Sequence, residues 1–330
     1  MFWSSGFLYA VSVMKRLLSV TLLSLLSGAQ AAYCYDNPLS QDSLFQFLRG
    51  APKQVNQRFL VSGAKDNTVV QAALQKGRLS ELVYLTAYPD KDRFFNLLAF
   101  FPVSATQSRG WVGFADSGPV SLPLAGEMAQ ARANAQEKKG PTAVSLAFDS
   151  QGRLSSYSGL LIVDGLLAAR QLSVTCAYSQ RGVVETMNMP GAHRTVATVQ
   201  FGDKKEIRSI ESTVQMYDGP VDFETFQPAL GKTVKTQLTQ FVYRASGQLT
   251  AARVGIPIQR DSAGRLIESG PPESEVKVSL DSRGNVVRLD SEAGAEVRVA
   301  EFSYDAKGNW VKRVTRSAGK TVTTTRTITY

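Results

Sequence analysis

The sequence predicts a mainly β protein: an antiparallel sheet built from local hairpins, preceded by a minor α+β N-terminal region. Three observations carry that expectation. From Thr142 onward, apolar and β-branched runs such as VSLAF, LSVTCAY and TVATVQF alternate with Gly-containing turns such as DSQG, SQRG and GDKK. Strand formers broken by turn chemistry at this frequency indicate strands paired through short connections. The composition, 43% apolar and 20% charged over 330 residues, supplies a sizeable core and excludes a disordered chain. Beyond the N-terminus there is no run of about 18 apolar residues, which excludes a polytopic helical membrane protein. Two Cys and one His exclude a disulfide-dense mini-fold and a zinc-finger array.

Residues 1–31 read as a secretory signal peptide, with Met14 as an alternative start. Lys15 and Arg16 form the basic n-region, Leu17 to Leu26 the apolar stretch, and Ala29-Gln30-Ala31 the cleavage site. Cleavage after Ala31 removes two of the basic residues behind the formal charge of +9. It places the protein in the periplasm or outside the cell, with no stable membrane span. Cys34 follows Tyr33, not the small residue of a lipobox. In an oxidising compartment an even pair, Cys34 and Cys176, predicts one disulfide. Closing a loop of about 140 residues stabilises by roughly 4–5 kcal/mol in the chain-entropy treatment, and it would fasten the N-terminus to the sheet.

Residues 32–140 are read as a small α+β region ending in a helical linker. Leu44, Phe45 and Leu48 follow a capping Ser or Asp and suggest a short helix. Asn67 to Lys76 repeats that pattern with Val70, Ala73 and Leu74. Leu82–Ala87 and Phe94–Phe101 flank a Pro-Asp turn and read as paired strands, continued by Trp111–Phe114. Residues 125–139, AGEMAQARANAQEKK, have helical composition before the Gly140-Pro141 break. Residues 141–330 form the antiparallel β region. Thr213 to Gly231, with Pro220 and Pro228, reads as a longer connection. The alternating stretch from Lys320 to Tyr330 reads as a terminal sheet strand. It also has the form of a barrel-closing strand, but no series of roughly ten-residue strands with an apolar outward face accompanies it.

A four-residue pattern recurs along the β region. Asp149 to Gly152 returns as Arg244 to Gly247, Asp261 to Gly264, Asp281 to Gly284 and Asp305 to Gly308. The chemistry is that of a turn. Asp at the first position accepts hydrogen bonds from the backbone ahead of it, and Gly at the fourth takes positive φ. Gly308 is therefore expected between two strands. The last copy, Phe302-Ser303-Tyr304-Asp305-Ala306-Lys307-Gly308-Asn309, resembles the Y-x-Y-D-x-x-G-N core of YD repeats, the repeat of RHS and teneurin-type proteins. Phe302 stands where the first Tyr is usual, Arg244 replaces Asp, and Arg260 and Leu280 replace Tyr. The resemblance is best over residues 240–330. It implies a twisted hairpin sheet in an exported bacterial protein, with too few copies to enclose a cargo and no catalytic residue to carry over.

No catalytic, metal or cofactor site is expected. His193 lies in a loop-like stretch without a G-x-S-x-G partner, and each turn offers one carboxylate where a calcium loop needs several. The basic stretch from Ser303 to Tyr330, with Lys307, Lys312, Arg313, Arg316, Lys320 and Arg326, suggests a cationic sheet face that attracts polyanions. The functional expectation is an exported, non-enzymatic binding or structural module of the bacterial envelope. Its partner would be an anionic glycan or an envelope protein, not nucleic acid. The alternative is an envelope hydrolase using a carboxylate pair in a cleft between the two regions.

Overall fold

The structure, a computed structural model, describes residues 34, 35, 37–39, 49–61, 67–75, 78–87, 94–116, 133, 143–162, 169–189, 193–217, 230–291, 298–317 and 320–330. The signal peptide and the helix expected at residues 44–48 lie outside these residues, as does the linker expected at 125–139 apart from Ala133, which is helical.

The chain is built from strands β1 (Gln54–Val61), β2 (Asn67–Gln75), β3 (Arg78–Ala87), β4 (Phe94–Pro102), β5 (Gln107–Asp116), β6 (Ala143–Phe148), β7 (Leu154–Ile162), β8 (Ala169–Tyr178), β9 (Gly182–Met189), β10 (His193–Phe201), β11 (Ile207–Tyr217), β12 (Leu230–Tyr243), β13 (Leu249–Arg260), β14 (Leu266–Glu268), β15 (Ser274–Leu280), β16 (Val286–Ser291), β17 (Arg298–Tyr304), β18 (Trp310–Ser317) and β19 (Lys320–Thr329). They form one 19-stranded sheet. Every ladder is antiparallel. Each strand pairs with its successor except around β14, where β13 pairs with both β14 and β15. β19 then pairs with β1 over Gln54–Val61, and β1 pairs with β2. The sheet thus returns on itself as an antiparallel barrel, leaving β14 as a short flap beside β13.

The α+β expectation for the N-terminal region is corrected. The described part of residues 54–116 is β strand apart from the bend at 103–106, and β5 pairs with β6 across the division placed at 140. Asn67 to Lys76 was expected as a helix because Val70, Ala73 and Leu74 share helical spacing. In β2 the period is two: Val70 and Ala72 are fully buried. A register shift between Ala73 and Leu74 breaks the alternation. A bulged strand and a short helix therefore leave similar apolar spacing.

Two described inward rows are apolar and one described outward row is polar. One inward row runs Val55, Ala72, Leu82 across β1, β2 and β3, and another runs Leu146, Tyr157, Val174 across β6, β7 and β8. All six are buried. The outward row Ser303, Lys312, Thr325, Arg58 crosses β17, β18, β19 and β1, and all four are exposed. Membrane barrels show the reverse alternation, and Arg or Lys on a lipid face costs about 2–4 kcal/mol at the bilayer midplane. The described wall around β17–β1 is therefore made for water. A separate small core of Leu238, Ile256 and Ile258 lies where β13 turns into the β14 flap.

Candidate functional site

In an antiparallel meander the connections alternate between two ends. One end collects the turns at 149–152, 179–181, 202–206, 244–248, 281–284 and 305–308, together with the entry of the chain at Lys53, whose N–H bonds the Thr329 carbonyl (2.8 Å). Together they form a turn rim.

The repeated turns share one geometry. Gly152, Gly264, Gly284 and Gly308 have φ of 76°, 78°, 87° and 84°, and Gly247 has 85°. The N–H of each glycine bonds the carbonyl three residues back at 2.8–3.1 Å. Oδ1 of each Asp accepts two N–H groups: Gln151 and Arg153 for Asp149, Ala263 and Arg265 for Asp261, Arg283 and Asn285 for Asp281, and Lys307 and Asn309 for Asp305. Gly308 joins β17 to β18. The turn at 202–206 has Lys205 at the equivalent position, with φ 64°.

Two of these turns carry a clasp that the sequence analysis missed. Asn285 Nδ2 donates to the Tyr304 hydroxyl (2.7 Å), and that hydroxyl donates to Asp281. Asn309 Nδ2 donates to the Tyr330 hydroxyl (2.7 Å), which donates to Asp305 Oδ2 (2.5 Å). Each Tyr ends the second strand after its turn, so the clasp ties neighbouring strand pairs. Cations cover the rings: Arg283 lies 4.1 Å from the Tyr304 centroid and Lys307 3.3 Å from that of Tyr330. The pKa of Asp281 is low although burial opposes it, because Tyr304, the Asn285 and Arg283 amides and the Asn285 side chain all bond the charged form. The signal that could have revealed the clasp is the Asn directly after Gly in these two copies.

The N-terminal segment reaches the rim from both sides. Cys34 is disulfide-bonded to Cys176 of β8, with Cα atoms 5.4 Å apart. Its N–H donates to Glu185 of β9 (3.0 Å), and its carbonyl accepts the Tyr178 hydroxyl (3.0 Å). Burial pushes the Glu185 carboxyl up to about 7, only partly offset by that N–H. Arg49 is held by a reciprocal pair: its N–H donates to Asn309 Oδ1 (2.6 Å), and Asn309 Nδ2 donates to its carbonyl (2.9 Å).

The charge distribution corrects the expected basic face of residues 303–330. Arg313 and Arg326 are buried inside the wall. Arg326 lies 3.3 Å over the Trp310 ring and bonds Gln57, and Arg316 is paired with Glu301 on the outside. Exposed cations gather instead on the turn rim: Arg49, Arg181, Lys204, Arg244, Arg283 and Lys307. They come from turns scattered over 260 residues of chain, so no local stretch announces them. Of the rim's acids, Asp149, Asp281 and Asp305 are occupied inside their own turns, Glu206 accepts the Lys204 N–H and pairs with Arg208, and Asp203 is exposed. His193 is half-buried at the start of β10, opposite Met189 and Met216. Among the described residues no group of three or more His, Cys, Asp or Glu could hold a metal ion.

No family model matches the chain, and no curated protein matches it. Among solved structures it is similar to a porin-like protein from Bacteroides uniformis. The identity is 11%, the match covers 84% of this chain and 96% of that chain, and the TM-score is 0.27. Likeness at that level adds nothing to the architecture read from the ladders. The resemblance to YD repeats is not upheld: no YD or RHS model matches, and the strands close through β19 and β1 into a barrel. The shared letters have a local cause. Any hairpin that joins a type I turn to a left-handed residue selects Asp first and Gly fourth.

Proposed function

We propose that this protein is an exported, non-enzymatic binding module of the bacterial envelope that presents its cationic turn rim to a polyanionic glycan. The observation that carries the reading is the rim itself. From the β6–β7 turn to the β17–β18 turn each rim turn exposes Arg or Lys, while the Asp149, Asp281 and Asp305 side chains are turned into the backbone and Asp203 stands exposed beside Lys204 and Lys205. Such a surface attracts anions through its summed field. The export pattern of residues 14–31 supports an envelope setting, and the polar outward wall suits an aqueous compartment. The described acids support binding over hydrolysis. Glu185, the buried one, accepts the Cys34 N–H inside the wall, and Glu211, Glu268 and Glu301 are engaged by Arg260, Arg253 and Arg316.

The test is retention of the mature protein on an immobilised acidic polysaccharide. Retention that weakens with salt is expected, because exposed charge pairs are screened. The triple variant R181E/K204E/R244E should be released at much lower salt, whereas R58E/K277E/K312E, an equal change of charge on the outer wall, should stay close to wild type. Equal release of both variants would assign the binding to overall charge and remove the rim from the reading.

A further inference from the structure

The rim cations recur with a period set by the sheet. From the β6–β7 turn to the β17–β18 turn, successive rim turns sit on neighbouring strand pairs, and the series is unbroken because β13 pairs directly with β15. Neighbouring strands lie about 4.8 Å apart, so rim turns recur about every 10 Å across the strands, and somewhat further along a tilted rim. Each turn contributes an exposed cation: Arg153, Arg181, Lys204, Arg244, Arg283 and Lys307. Several of these are held in place. Arg153 bonds Asp149 and lies 4.0 Å over the Tyr178 ring, Arg283 covers Tyr304, and Lys307 covers Tyr330. Where a turn begins with Asp, the carboxylate is engaged by the backbone of its own turn.

Resting on the reading of the rim as a polyanion site, we propose that its ligand is a linear acidic polysaccharide carrying one anionic group per disaccharide. An extended disaccharide is about 10 Å long, close to the pitch of two strands. Such a chain meets a cation at each charge without bending. A polymer with one charge per sugar and the same total charge spans half as many turns, so about half of its carboxylates meet no rim cation. An anionic lipid surface has mobile headgroups and no period, so it gains nothing from this spacing.

The experiment is titration of the full mature protein with three probes at fixed salt. These are hyaluronan oligosaccharides (one carboxylate per disaccharide), oligogalacturonates of equal total charge (one carboxylate per sugar) and phosphatidylglycerol vesicles. Hyaluronan oligosaccharides are expected to bind about tenfold more tightly than the galacturonates, a difference readily measured. K204A/R244A should lose about tenfold in hyaluronan affinity while keeping the wild-type circular dichroism spectrum. Equal or tighter binding of the galacturonates overturns the period match and leaves the rim reading standing. Vesicle binding without polysaccharide binding overturns the proposal in favour of a membrane surface. Binding to none of the three overturns the rim reading itself. The wild-type comparison decides the matter even if the double variant does not fold.

Discussion

At Asp261 and at Asp305 the chain makes the same turn and ties it off differently. Both carboxylates accept two backbone N–H groups, and both turns end in a glycine near φ 80°. The fifth residue separates them. Arg265 folds back so that its Nε bonds Asp261 Oδ2 (2.7 Å), with its side chain 81% exposed, and the turn closes on itself. Arg153 does the same to Asp149. Asn309 is buried and passes its amide on to Arg49 and Tyr330. Asn285 does likewise toward Tyr304. Arg265 thus makes a solitary surface turn, Arg153 adds a ring contact with Tyr178 (4.0 Å), and a short amide makes a hydrogen-bonded joint between strand pairs.

The largest test of this contrast is Asn309→Ala. It strands the Arg49 N–H and carbonyl and removes one partner of the Tyr330 hydroxyl, so urea unfolding should show a loss of about 3 kcal/mol. A loss no greater than that of Arg265→Ala would dissolve the distinction between the two kinds of turn.

Next in size is the pH response of the other N-terminal anchor. Glu185 has a folded pKa of about 7 against an ordinary 4.5. A raised carboxyl contributes stability that is complete below the unfolded pKa and is lost as pH rises through the folded one. From pH 5 to pH 8 the thermal midpoint should therefore fall, corresponding to about 2–3 kcal/mol. Glu185→Gln should flatten that slope, since its amide oxygen still accepts the Cys34 N–H. The clasped turns respond with the opposite sign. Asp281 and Asp305 are depressed, so their contribution is present above the ordinary Asp range and is lost only as pH falls through their lowered values. A thermal midpoint that rises between pH 5 and pH 8 would contradict the Glu185 assignment.

Gly308→Val should cost about 1–3 kcal/mol, because a β-branched residue strains at φ 84° and its side chain enters the space of Arg283 and Arg49. Gly264→Val has the same φ demand but nothing within 4 Å, so chemical denaturation should rank it as the milder change. The reverse substitution, Lys205→Gly, should raise the thermal midpoint slightly, because Lys205 holds φ 64° without glycine's freedom. Arg265→Ala is expected to leave the midpoint unchanged, since its ion pair is solvent-exposed.

Much of the local structure was legible in the residues. Asp305 and Gly308 point to a turn because the interactions that make it span only five residues. Cys34 and Cys176 point to a disulfide because two thiols in a chain whose sequence reads as exported have one pairing to make. Asn67–Gln75 was misread because apolar spacing across a bulge imitates a helix. The clasp was missed because Asn309 and Tyr330 meet only after two further strands have been laid down. The rim was missed because its cations come one or two to a turn from distant stretches.

The sequence by itself determined the strand-and-turn alternation and the positive φ of Gly152, Gly247, Gly264, Gly284 and Gly308. These follow from dihedral preferences and short-range hydrogen bonds. Only the tertiary structure decided that β19 meets β1, that Arg313 and Arg326 face inward while Lys312 faces water, and that Arg49 arrives beside Lys307. Side chains alternate with period two, so the direction of a basic residue depends on the register of its ladder. That register is settled by closing a ring whose ends lie almost the whole chain apart.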